Sequence, residues 1–84
     1  MEYLVYVLFS QKHQKMYCGM TSHLIARFKS HNKLATKGWT MKFRPWKVIH
    51  VEVFHSKSEA LKREKFLKSG QGRKWIVHNL ILKQ

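Results

Sequence analysis

Two tyrosines, Tyr6 and Tyr17, an Arg27 and His31 spaced i and i+4, and Glu64 within a helical apolar stripe are the residues of this chain that could do chemistry. Phenol and imidazole groups move protons to or from a water, and a guanidinium neutralises charge growing on a phosphate. A carboxylate holds a hard divalent cation. Together these groups suit hydrolysis of a phosphodiester, which needs an activated water, a metal ligand and a cation near the leaving oxygen.

The acid is found by elimination. The chain has four acidic residues, all glutamates. Glu2 sits at a terminus, Glu52 on the more polar face of a strand, and Glu59 in a capping box. Glu64 has no such explanation. At about 100° per residue, Ala60, Leu61 and Leu67 mark the apolar side of a helix, and Glu64 falls about 40° from Ala60, inside that stripe. An unpaired charge aimed inward is costly, so Glu64 requires a metal, an open cleft, or an ion pair with Arg27 or a helical lysine.

Positioning these groups falls to a small set of elements. Tyr3 to Phe9 is an unbroken apolar run rich in β-formers and reads as a strand buried on both faces, the central one. Lys15 to Met20 resumes the apolar character, making a hairpin. A four-residue loop, Gln11 to Gln14, pairs Ser10 with Lys15 and puts Tyr6 and Tyr17 on one side of the sheet; a five-residue loop separates them. Ser22 is the expected cap of a helix whose stripe is Leu24, Ile25, Phe28 and Ala35, with Arg27 and His31 along its flank.

Thr36 to Lys47 has no clear period and reads as a basic loop carrying Trp39, Phe43 and Trp46. Such rings can stack unpaired bases, but in a small domain packing under their own loop is the favoured reading. Val48 to Phe54 reads as a third strand, with His50 and Glu52 on its less buried face. Ser56-Lys57-Ser58-Glu59 has capping-box spacing and opens a helix to about Ser69. Gly70 and Gly72 are expected to punctuate its end, and Arg73 to Leu82 to form a closing helix. The predicted fold is α+β: a three-stranded antiparallel sheet flanked by about three helices, in one domain over residues 1–84.

The charge balance points to the partner. Seventeen Lys and Arg against four acids give a formal net charge of +13, which suits a polyanion bound through counterion release. Arg27, Lys37, Lys42, Arg44, Lys68 and Arg73 are the candidate nucleic-acid contacts. With 44% hydrophobic residues, the chain has material for a packed core and is not a basic disordered tail. A single cysteine, Cys18, reads as a small buried hydrophobe. No secretory leader or long apolar span is seen, so the expected location is the cytoplasm, away from membranes. Paired zinc spacing, Gly-rich phosphate loops and nucleophile elbows are absent from the sequence.

The tripeptides Leu4-Val5-Tyr6 and Tyr17-Cys18-Gly19, with Thr21, Leu24, Arg27, His31 and Asn32 at the expected positions, resemble the GIY-YIG endonuclease family. Ser58 to Glu64 looks like the helix whose last Glu binds the divalent ion in that family. The resemblance is to small stand-alone members similar to the nuclease module of the bacterial excision-repair incision protein. Leu4 stands where the first motif has Gly, and Cys18 where the second has Ile. The resemblance implies a DNA endonuclease, with repair- or recombination-type nicking or structure-directed cleavage, using Mg²⁺ or Mn²⁺ at Glu64. It implies catalytic roles for Tyr6, Tyr17, Arg27 and His31, and for Asn79 in the closing segment. Which tyrosine is the base stays open, and no protein partner is identified. The competing reading is a non-catalytic basic DNA- or RNA-binding module that keeps the fold.

Overall fold

The apolar run at the start of the chain becomes β1 (Tyr3–Ser10), the middle strand of an antiparallel sheet ordered β2–β1–β3, with β2 at Lys15–Thr21 and β3 at Lys47–Phe54. A computed structural model describes residues 2–29 and 39–82. The β1–β2 hairpin has the expected four-residue loop, since Ser10 pairs with Lys15, Leu8 with Tyr17 and Tyr6 with Gly19. Gln14 supplies the positive φ, 54°, that closes a turn with no glycine in it.

Each face of the sheet has its own core. Val5, Val7 and Cys18 pack with Ala60, Leu67 and Ile76 on one side. On the other, Tyr6 and Leu8 pack with Trp46, against which Tyr17, Leu24, Phe28, Phe43 and Val48 lie. The first face is covered by α2 (Lys57–Lys68) and α3 (Gly70–Ile76), the second by α1 (Leu24–Lys29) and a 3₁₀ turn, Trp39–Phe43. The α+β architecture is therefore as predicted. Among the described residues, no helix is long and apolar enough to cross a membrane.

Local chemistry departs from the sequence reading in several places. The hydroxyl entering α1 is that of Thr21, which accepts from the His23 amide at 3.0 Å, rather than that of Ser22. Among the described residues of α1, the i, i+4 pair Leu24 and Phe28 packs on the sheet and Ile25 is 75% exposed. Ala35, expected in the same stripe, lies outside the described residues. The expected loop at 36–47 contains the 3₁₀ turn because Trp46 is buried and its indole N–H needs an acceptor, which the Thr40 carbonyl provides at 2.8 Å. Phe43 and Trp46 pack into the core, as favoured.

The β3 alternation runs opposite to expectation. His50 and Glu52 turn toward the helices, while Val51 and Val53 are exposed. Glu52 tolerates that face because Arg63 on α2 donates twice to its carboxylate, at 2.8 and 2.9 Å, and His50 bonds it at 2.8 Å. Burial pushes the Glu52 carboxyl up, but the bonds from Arg63 and then His50 outweigh it, and the pKa is lowered. Trp75 closes this cluster, edge-on to His50 and 4.9 Å from the Arg63 guanidinium.

Ser56 caps α2, accepting from the Glu59 amide at 3.4 Å. The break after α2 falls at Ser69, whose hydroxyl accepts from Gly72 N–H at 3.2 Å and so also caps α3. Gly70 and Gly72 consequently open α3 rather than end α2. Gly72 is needed for close approach, since a β-carbon there would stand 2.5 Å from Leu67 Cα. The expected closing helix is interrupted after Ile76 by a π-helical turn, Val77–Ile81, with Leu82 N–H bonded to Val77 O at 2.8 Å.

Candidate active site

Tyr6 is the centre of the arrangement. The hairpin register puts Tyr6 opposite Gly19 and diagonal to Tyr17 on one face, and the two rings lie 6.3 Å apart at 41°. A β-carbon on Gly19 would fall 2.6 Å from Tyr6 Cζ and closer still to its hydroxyl. The missing side chain lets the phenol cross β2 toward the open edge of the sheet. A glycine inside an apolar strand signals such an approach, and its structural role was not drawn from the sequence.

Three side chains from two helices bring charge to that edge. Arg27 on α1 donates a hydrogen bond to the Tyr6 phenol. Glu64 on α2 acts on the same phenol electrostatically and retains 22% side-chain exposure. Lys68, one turn on, holds its ammonium 3.7 Å from Glu64 and 5.8 Å from the Tyr17 ring centroid. Burial, followed by the neighbouring charge of Tyr17, pushes the Tyr6 hydroxyl up to about 12, with Arg27 pulling against it and Glu64 adding to it. Tyr6, Tyr17, Arg27 and Glu64 are thus brought together from three separate parts of the chain.

Cys18 is buried behind them. Its thiol donates toward Leu67 O at 3.9 Å, and burial raises its pKa to about 11, so it is a packing residue. Lys68 and Arg73 line a groove beside Tyr17. Lys42 is exposed and Arg44 half-buried, both at the 3₁₀ turn. Asn79 is exposed, and its amide donates to the Trp75 carbonyl at 2.9 Å, a partner within its own helical segment rather than in the tyrosine cluster. His31, Asn32 and Lys37 lie outside the described residues.

A metal fits this site in one manner. Among the described residues no group of three or more His, Cys, Asp or Glu comes together, so a protein cage is not offered. Glu64 gives a partly exposed carboxylate, with the Lys68 ammonium 3.7 Å away. That donor suits a cation such as Mg²⁺, which keeps several waters and takes one or two carboxylates plus substrate phosphate.

The three-stranded sheet and its covering helices are the fold of a nuclease-type domain. Residues 2–75 match the GIY-YIG catalytic domain, and the chain belongs to the GIY-YIG family. It is similar to a UPF0213 protein of Staphylococcus haemolyticus, 36% identical over 69% of this chain and 71% of that one. A UPF0213 protein of Clostridium perfringens is 36% identical over 76% of this chain and 68% of its own length. The solution NMR structure of a UPF0213 protein from Bacillus halodurans superposes with a TM-score of 0.56 at 27% identity, covering 93% of this chain and 84% of that one.

Proposed function

We propose that this protein is a divalent-metal-dependent endonuclease that hydrolyses DNA phosphodiester bonds, as in the nicking of repair or recombination intermediates. The observation that carries the reading is the convergence of Arg27 and Glu64 on the buried Tyr6 phenol beside Tyr17. A cation held by Glu64 supplies Lewis acidity at the scissile phosphate and the departing 3′ oxygen.

This chain's own residues do the remainder. Tyr6, pushed up to about 12 by burial, keeps its proton near neutrality, and its phenolic oxygen accepts from Arg27 and so orients the guanidinium. Tyr17, the half-buried and so more accessible phenol, takes the proton of the attacking water. His31 assists that transfer, and Arg27 neutralises charge as it builds on the phosphate. Lys68 and Arg73, with Lys37, Lys42 and Arg44, hold the backbone on either side, in keeping with the formal net charge of +13. Asn79 is a further candidate contributor.

The test is cleavage of nicked, branched and plain duplex DNA by wild type and Glu64→Ala, with Mn²⁺ or EDTA present. Strand scission that requires both Mn²⁺ and Glu64, with DNA binding kept by the variant, supports the nuclease. Binding with no cleavage by wild type supports the non-catalytic nucleic-acid module instead.

A further inference from the structure

Next to the tyrosine cluster, the cleft between the β2 edge and the α2–α3 junction forms a groove of about 390 Å³ lined by Met16, Tyr17, Cys18, Leu67, Lys68 and Arg73. This volume lies in the range of small-ligand sites, about 300–1,000 Å³. It adjoins a second hollow of about 270 Å³ that shares Met16 and Arg73 and adds Gln14 and Lys15. Among the described residues, no acid lines either hollow.

The lining selects its occupant. Met16 and the Tyr17 ring offer apolar wall that a phosphate cannot use, and Lys68 and Arg73 offer cations that an apolar peptide would leave unmatched. A ligand that matches both carries a flat, weakly polar body and an anion, as a nucleotide does. A paired duplex keeps its bases stacked inside and shows this groove only phosphates, so the base must be unstacked to enter. The edge strand adds outward-facing amides and carbonyls for the rim of such a base. Tyr17 and Lys68 belong both to the groove and to the tyrosine cluster, which puts any occupant beside the reacting phosphate.

We propose that the groove is a subsite for one unpaired nucleotide, its base against Met16 and the Tyr17 ring and its phosphate between Lys68 and Arg73. This rests on the reading of the chain as acting on DNA, and it directs that activity to junctions where a nucleotide is out of the stack.

The experiment measures binding apart from cleavage. Wild type in EDTA is titrated into a labelled plain duplex and into the same duplex carrying one unpaired 2-aminopurine, and affinity is read by anisotropy. The expected result is about tenfold tighter binding of the unpaired probe, with a change in 2-aminopurine emission. In Arg73→Ala, whose side chain is exposed, the ratio should fall toward one, and Met16→Ala should lower it too. Equal affinity of wild type for both probes, or a ratio unmoved by both substitutions, overturns the proposal. Discrimination without cleavage in Mn²⁺ would defeat the nuclease reading alone; cleavage with equal affinity would defeat the subsite alone.

Discussion

Gly19 stands directly across the hairpin ladder from Tyr6, and the Tyr6 phenol occupies the space that a β-carbon at 19 would need. The second motif's glycine and the first motif's tyrosine are therefore one steric unit. Gly19→Ala should cost roughly 1–3 kcal/mol through overpacking and displace the phenol from Arg27. Denaturant unfolding checks the stability, and a loss of cleavage larger than the stability loss explains would show the displacement.

The two phenols should separate in their kinetics. Tyr17→Phe is expected to lower the cleavage rate by about 10²–10⁴-fold with DNA affinity kept, the size of a lost proton-transfer group. Tyr6→Phe should cost less, because the Tyr6 hydroxyl is buried and already holds Arg27, out of reach of the attacking water. Single-turnover rates of both variants decide it. If Tyr6→Phe proves the more damaging, the roles are reversed.

The hairpin was legible from Tyr3 to Met20 as two apolar runs about a polar stretch, but its register was not. The register turns on loop length, and the four-residue loop Gln11 to Gln14, rather than a five-residue one, pairs Ser10 with Lys15. Glu64 was legible because a carboxylate in an apolar helical stripe needs a reason. The fate of Glu52 was not, since its alternation with valines signals a solvated face and its partner Arg63 lies 11 residues on, in another element. The Ser69 junction was misplaced for a related reason. Glycine after a helix reads as a stop, whereas Gly72 is required by packing against Leu67, a contact no local pattern reveals.

The Glu52 cluster makes acid stability testable. Its folded pKa is lowered, so its contribution is fully present above the ordinary value of 4.5 and is lost as pH falls through the folded value. Glu52→Gln should remove roughly 1.5–3 kcal/mol at neutral pH, toward the lower figure because the pair is partly solvated. The gap between variant and wild type should close in acid. Urea titrations across pH measure it.

Phosphate contacts should show in the salt dependence. Lys42→Ala and Arg44→Ala are each expected to weaken binding across DNA sequences and lower the slope of log affinity against log salt by about one. Anisotropy titrations at several salt concentrations check this. An unchanged slope for both would remove the 3₁₀ turn from the DNA path.

The most direct measurement is the nicking of supercoiled plasmid over a Mn²⁺ titration by wild type and Glu64→Gln, which keeps the side chain's size and removes its charge. The account predicts metal-dependent nicked circles from wild type and almost none from the variant, with plasmid binding retained by both. Equal nicking by the two proteins would contradict it.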